Sequence, residues 1–256
     1  MDNPEDITFG SLFSGVGGLD LGLEQAGLKC VFQVENDKHC LTILNKHWPD
    51  VFKNEIRPCM GLVGGDPCPI RSRASKSHGT RSPDLSGYFL AMVARCKPGW
   101  VLRENVSAPD VLEFTTVLDM LGYHCVIVTM DSAAFTGQSR RREFVVGFNS
   151  KQITDRFALV SQQKSGEGID TKSGPSEKAL ACLDTRQKRR NSADQTYVYE
   201  KPEGLRHLSH AERESLQGFP AGWTDGIPHS ARERTIGNAV TVPVARWLGE
   251  RIVEAL

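Results

Sequence analysis

What most constrains this chain is an alternation, running from Ile7 to about Phe148, of short apolar segments with longer stretches of helical periodicity. Strands are predicted at Ile7–Phe13, Lys29–Glu35, Gly61–Gly65, Trp100–Glu104, Tyr123–Met130 and Glu143–Phe148. Between them, helices fit Leu19–Ala26, closed by Gly27, then Lys38–His47, Leu85–Cys96 before Lys97-Pro98-Gly99, and Pro109–Leu121 before Gly122. Strand–helix–strand units of this spacing return to a sheet as parallel neighbours, so an α/β fold is expected, with helices covering the sheet. The last two strands lie too close together for a crossover helix. They are expected as an antiparallel pair at the sheet edge.

Beyond Asn149 the composition turns polar, and Ser161–Ser176, rich in Ser, Gly, Gln and Lys without periodicity, reads as loop. Order resumes near Tyr197-Val198-Tyr199. Ser209 followed by Glu212 is a capping box that opens a helix, and a terminal helix is expected from about Val242 to Leu256. Lys and Arg number 31 and so do Asp and Glu, so any surface for a polyanion must be built from local clusters rather than from an overall positive field. The seven cysteines form no CxxC pair, which argues against a disulfide framework and a cysteine zinc site and points to a reducing compartment. With an acidic start and no long apolar run, neither signal peptide nor membrane span is read, and a soluble cytoplasmic protein is expected. His207 and His210 suggest a metal site, but no third ligand is in view along the sequence, and no metal is expected.

Phe13-Ser14-Gly15-Val16-Gly17-Gly18 stands where the first strand gives way to the first helix. Glycines there let the backbone approach a ligand at the positive end of a helix. Roughly twenty residues on, Glu35 ends the second strand, where a carboxylate accepts hydrogen bonds from ribose hydroxyls. The pair suits an adenosine cofactor, and at this point a nicotinamide dinucleotide fits as well as S-adenosylmethionine. Gly64-Gly65-Asp66-Pro67-Cys68-Pro69 follows another strand at its carboxyl end, the edge where open α/β sheets place reactive groups. Cys68, flanked by prolines and followed by a basic loop, is the candidate nucleophile. Glu104 ends the next strand and would face the same cleft; held protonated by burial, it could act as a general acid. Gln138-Ser139-Arg140-Arg141-Arg142 lies in the turn between the last two strands and offers planar donors for a carbonyl or for phosphate oxygens.

Taken in order, these segments resemble the cytosine-5 DNA methyltransferase family of bacterial and phage type along nearly the whole chain. Phe13–Gly18 is similar to its FSGxGG cofactor loop, Glu35-Asn36 to its ribose-binding pair, and Glu55-Ile56 to the Asp-Ile beside the adenine. Pro67-Cys68 matches the start of its PCQ nucleophile motif, Glu104-Asn105-Val106 its ENV triplet, and Gln138-x-Arg140-x-Arg142 its QxRxR. Arg206 to Pro220 resembles RxLTxxE…LQGFP, and Gly237-Asn238-Ala239-Val240 the closing GNxV. A dehydrogenase has no reason to carry these in this order, so the resemblance selects S-adenosylmethionine, with S-adenosylhomocysteine as product. It implies a Rossmann-like, mixed seven-stranded sheet whose last helix packs beside the first. It also implies a catalytic set of Cys68, Glu104, Arg140 and Arg142. The cofactor pocket it implies is drawn from Phe13, Ser14, Gly15, Gly17, Gly18, Leu19, Glu35, Asn36, Glu55, Ile56, Pro67, Leu85, Asn238, Ala239 and Val240. Duplex DNA is the implied partner, its target cytosine flipped out of the helix because an enzyme cannot reach carbon 6 inside a stack.

Three departures from the family pattern stand out. Pro69 replaces the glutamine of PCQ, and Ile70-Arg71-Ser72-Arg73 makes the following loop more basic, suited to phosphate. Glu55 replaces the usual Asp. Between Gly147 and Leu205, where family members carry a target-recognition domain, the chain is short and polar, and base reading falls to Arg186, Lys188, Arg189 and Arg190, with Gln138 and the Arg71–Arg73 loop as further DNA contacts. The expected organisation is a catalytic domain over 1–149, a reduced recognition region over 150–204 and a C-terminal segment over 205–256 that rejoins the first domain. A monomer is expected, and a cognate restriction endonuclease or an auxiliary recognition chain stays open. An RNA cytosine-5 methyltransferase is the alternative, although the Cys-Phe-Thr signature of that branch is absent. An inactive relic or regulatory subunit is the other, opposed by the intact Cys68, Glu104 and arginines.

Overall fold

The computed structural model describes residues 7–67, 84–106, 110–163, 197–200 and 204–256. Strands β1 (Thr8–Leu12), β2 (Lys29–Val34), β3 (Phe52–Lys53), β4 (Gly61–Gly64), β5 (Trp100–Asn105), β6 (His124–Asp131) and β7 (Arg141–Phe148) form one seven-stranded sheet in the order β3-β2-β1-β4-β5-β7-β6. The pairs from β3 to β5 are parallel, while β7 runs antiparallel to both β5 and β6. The order of strand connection thus switches on either side of β1, and the carboxyl ends of β1, β4 and β5 open onto one crevice, the place where such sheets bind ligands. The antiparallel pair expected from the short connection is there, with β6 at the edge.

Helices α1 (Gly18–Gln25), α5 (Lys151–Gln163) and α8 (Val242–Ala255) cover one face. There Leu19, Leu23, Phe9, Trp100, Phe148, Phe157, Val244 and Leu248 form the main apolar core. Helices α3 (Ser86–Cys96) and α4 (Asp110–Met120) cover the other, with Phe89, Val93, Phe114 and Leu118 buried against Leu62, Val101 and Val145. A third cluster joins α2 (Lys38–His47) to the C-terminal segment: Ile43, Leu44 and Trp48 meet Phe219, Trp223, Ile227 and Ile236. The final helix lies along the first, and Arg251 lies 3.9 Å over the Trp247 ring near its far end.

Local chemistry sets the helix ends. Asp37 caps α2 by accepting from the amides of His39 (2.8 Å) and Cys40 (3.2 Å). The capping box is present at α6 (His210–Leu216), where Ser209 and Glu212 exchange hydrogen bonds. Strands β8 (Tyr197–Glu200) and β9 (Gly204–His207) form a separate antiparallel ribbon just before it. The structure departs from the sequence reading at α5, which lies in the stretch read as polar and overlaps the expected loop only from Ser161 to Gln163. Its apolar residues are few but well spaced: Phe157 is fully buried and lies 5.5 Å from the Phe148 ring. Helix α7 (His229–Asn238) also went unread, because HSARERTIGN is mostly polar; Ala231, Thr235 and Ile236 supply its buried face.

Candidate active site

The chain leaves β1 through Phe13, held at φ +54°, and turns through Gly15 (+58°) and Gly17 (+82°) into α1. The Gly17 amide donates to the Ser14 carbonyl (2.9 Å), and Ser14 Oγ donates to Ser11 Oγ (2.9 Å), so the loop is a fixed turn. Glu35, at the end of β2, closes over it. One carboxylate oxygen accepts from the Gly15 amide (2.8 Å), and the other from the amides of Asn36 (2.7 Å) and Asp37 (2.8 Å). The Glu35 amide donates to Asn54 Oδ1 (2.9 Å), which ties β2 to the segment carrying Glu55 and Ile56. Ile56 packs into the second-face core, whereas exposed Glu55 pairs with Arg57 at 2.6 Å. Leu85 precedes α3, whose Tyr88 lies edge-on to Phe13.

The return segment Gly237-Asn238-Ala239-Val240 meets this loop directly. A Cβ on Gly18 would stand 2.4 Å from the Val240 carbonyl oxygen, so only glycine lets the two backbones touch. Trp223 adds a second tie by donating from Nε1 to the Val16 carbonyl (2.9 Å). Asn238 is exposed, Ala239 buried. Open space lies over the loop at Gly15, where an added Cβ meets nothing within 4 Å. A backbone turn at a helix N-terminus, open above and edged by a carboxylate, fits an adenosine-bearing cofactor.

At the next strand ends, Asp66 and Arg103 are buried, with side-chain exposures of 0% and 1%, and form a two-pronged ion pair: Nε to Oδ1 at 2.5 Å and Nη2 to Oδ2 at 2.7 Å. Asn105 Nδ2 donates to the same carboxylate (3.4 Å), and the guanidinium lies 4.1 Å above the Phe114 ring. The network fixes the exit from β4, where Pro67 leads to Cys68. Sequence reading passed over Asp66 and Arg103; the signal was an acid immediately before Pro-Cys opposite an arginine in a paired strand. Cys68 itself, Arg71, Ser72, Arg73, Arg186, Lys188, Arg189 and Arg190 lie outside the described residues.

Glu104 stands one residue beyond Arg103 and points the other way. Its side chain is 12% exposed and pairs with Arg142, Nε to Oε1 at 3.1 Å. An added Cβ on Gly65 would lie 3.0 Å from the other oxygen, so the carboxyl reaches across to the exit of β4. Burial raises its pKa above the usual carboxylate value, against the lowering pull of Arg142 and Arg140. Arg140, buried, donates from Nη1 to the Gly237 carbonyl (3.1 Å), and its amide donates to Asp131 (2.7 Å). It joins the β6–β7 turn to the return segment. Gln138, expected at DNA, is fully buried at this turn. A small cleft brings Glu104, Arg140 and Arg142 together with Ser132, Thr241 and Val240. Ser132 donates to Thr241 Oγ1 (2.8 Å), and Thr241 to Gln217 Oε1 (2.7 Å), so its floor is a buried hydrogen-bonded chain that sequence reading did not anticipate. Val240 lines this cleft and touches the Gly18 turn, so the carboxyl and the cofactor loop share a wall.

The sequence matches the family described as C-5 cytosine-specific DNA methylase over residues 7–178 and 163–254. It is 30% identical to the Type II methyltransferase M2.BsuMI of Bacillus subtilis (strain 168), covering 94% of this chain and 74% of that protein. Identity to the Type II methyltransferase M.HgiDI of Herpetosiphon aurantiacus is 26%, over 93% and 91% of the two chains. Among solved structures, the Entamoeba histolytica methyltransferase EhMeth superposes with a TM-score of 0.72 at 16% identity, covering 96% of this chain and 98% of that one. A Spodoptera frugiperda DNMT2 mutant superposes with a TM-score of 0.73 at 13% identity, covering 96% and 99%. On the family match and this coverage, the chain belongs to the C-5 cytosine-specific DNA methylases, enzymes whose methyl donor is S-adenosylmethionine.

Proposed function

We propose that the protein methylates carbon 5 of a cytosine in duplex DNA through a covalent adduct between Cys68 and carbon 6 of a base flipped out of the helix. The observation that carries this reading is the cleft at the β5 end, where a buried carboxyl of raised pKa stands beside Arg142 and shares Val240 with the cofactor loop. Carbon 5 is not nucleophilic until something adds at carbon 6, and a thiolate is the side chain best suited to that addition. As the sulfur–carbon bond forms, electrons move toward ring nitrogen 3. There the Glu104 carboxyl donates its proton or a hydrogen bond, while Arg142 holds the ring carbonyl. Bound S-adenosylmethionine supplies an electrophilic methyl group. After transfer, a base removes the proton from carbon 5 and the thiolate leaves, restoring the aromatic ring.

Glu35, the Phe13–Leu19 turn and Asn238–Val240 hold the cofactor, with Asn36, Glu55, Ile56, Pro67 and Leu85 completing its pocket. Arg140 positions the β6–β7 turn through Gly237. Arg71, Ser72 and Arg73 grip phosphate, and Arg186, Lys188, Arg189 and Arg190 touch bases or backbone. In this reading residues 1–149 carry catalysis, 150–204 recognition, and 205–256 the return to the cofactor. The kinship with Type II methyltransferases supports a cytoplasmic role in DNA modification beside a cognate restriction endonuclease. No helix among the described residues is long and apolar enough to cross a membrane.

Methyl transfer from labelled S-adenosylmethionine to duplex DNA and to structured RNA tests the substrate. Label appearing in DNA at cytosines, mapped by bisulfite sequencing, is the expected result. Label confined to RNA would overturn it. Because 150–204 can place few side chains against base edges, the methylated site should be short or loosely read.

A further inference from the structure

We infer that His210, His229 and Glu233 form a binding site for a divalent transition-metal ion, with zinc the best match. His210 is the first residue of α6, and His229 and Glu233 stand one turn apart on α7, so the fold gathers the set from two helices. One ligand atom from each lies within 4.8 Å of the other two. His229 Nδ1 is 3.7 Å from Glu233 Oε1, and the two imidazole centroids are 4.2 Å apart at 67°, an edge-on arrangement that lets ring nitrogens converge. Zinc bonds of roughly 2.0–2.2 Å in a tetrahedron put ligand atoms roughly 3.3–3.5 Å apart, so side-chain rotations of about an ångström close the set.

The environment supports the assignment. Nε2 of His210 is buried and has no hydrogen-bond partner among the described residues, a cost that a metal bond would remove. Glu233 is 8% exposed, so its carboxylate is not a solvated surface charge. On α7 itself, Arg232 is engaged by Glu214 (2.9 Å) and Asp225 (2.7 Å), and Arg234 by Asp37 (2.8 Å). Two imidazoles with one carboxylate suit zinc and its neighbours; magnesium and calcium prefer oxygen donors. His229 is 73% exposed, which leaves the fourth position to water. The ion would clip the start of α6, entered from β9, to α7, whose far end carries Gly237-Asn238 into the cofactor loop. Its role is structural: it steadies the return segment.

The test uses full-length, tag-free protein stripped with a chelator and then given zinc or cobalt alone. The expected results are one ion per chain, a rise in Tm of several degrees with zinc, and a cobalt spectrum with ligand-field bands but no thiolate charge-transfer band. His229→Ala, at an exposed position that keeps the fold, and Glu233→Gln should each weaken binding at least tenfold and abolish the Tm rise. Failure of the wild type to bind zinc stoichiometrically would overturn the inference. So would unchanged affinity in His229→Ala, or a cobalt–thiolate band that moves the ion to a cysteine.

Discussion

Asp66→Ala isolates the device that holds the exit of β4. The Asp66–Arg103 pair is nearly inaccessible to solvent on both sides and is bidentate, so removing the carboxylate takes two short charged hydrogen bonds from a buried guanidinium. Breaking a buried pair in this way costs about 3–5 kcal/mol. Each kcal/mol moves Tm by roughly 2–4 °C in a chain of this size, so calorimetry should show a fall of about 6–20 °C. Much of that cost is the desolvated guanidinium losing its bidentate carboxylate. The double variant Asp66→Ala/Arg103→Met, which buries no charge and keeps an apolar contact over Phe114, should therefore recover most of the stability. Methyl transfer should not recover with it, because the exit of β4 before Pro67 would lose the network that holds Asp66. A Tm for Asp66→Ala within about 2 °C of wild type would refute the energetic argument. Full turnover in the double variant would refute the positioning one.

Three further outcomes follow from the same geometry. Glu104→Gln should slow methyl transfer by about 10²–10⁴-fold. Because burial raises the Glu104 pKa, the protonated form is lost only as pH climbs through that raised value, so the wild-type rate should fall on that alkaline limb while the Gln variant lacks it. Glu35→Ala should weaken S-adenosylmethionine binding about tenfold or more by calorimetry, since charged hydrogen bonds of about 1.5–3 kcal/mol are at stake; unchanged affinity would remove Glu35 from the pocket. Asp20, fully buried in the first turn of α1, has its pKa raised from 3.8 to about 6, chiefly by burial, with Gln33 pulling the other way. The folded state therefore holds this proton more tightly than the unfolded one. Its contribution is complete below about pH 4 and is lost as pH rises through about 6, a span worth about 3 kcal/mol. Asp20→Asn should flatten the pH dependence of stability, and an unchanged profile would show that Asp20 does not cause it.

Much of this was legible in the chain because the strongest signals are local. A strand, a glycine turn and a helix must follow one another at β1 and α1, and Lys38–His47 announced its helix by its periodicity. The capping box at Ser209 and Glu212 needs only four residues to be read. What escaped is non-local. Asp66 and Arg103 are 37 positions apart and become partners only when β4 pairs with β5. Helix α7 is too polar to reveal a face, since what it buries is set by α6 and the third apolar cluster. His210 was weighed beside His207, its neighbour in sequence, whereas the fold brings it to His229 and Glu233. Gln138 belongs to a recognised motif, yet its burial depends on the packing of the β6–β7 turn, which sequence spacing does not convey.

The most direct test of the proposed chemistry is covalent trapping. A DNA duplex carrying cytosine with fluorine at carbon 5 blocks the final proton removal, so a thiolate that has added to carbon 6 cannot leave after methyl transfer. Wild-type protein with this duplex and S-adenosylmethionine should run as a shifted band on denaturing electrophoresis. Cys68→Ala should show no shift while still binding S-adenosylmethionine by calorimetry. A wild-type band that never shifts, or a Cys68→Ala band that still does, would contradict the assignment of Cys68 as the nucleophile.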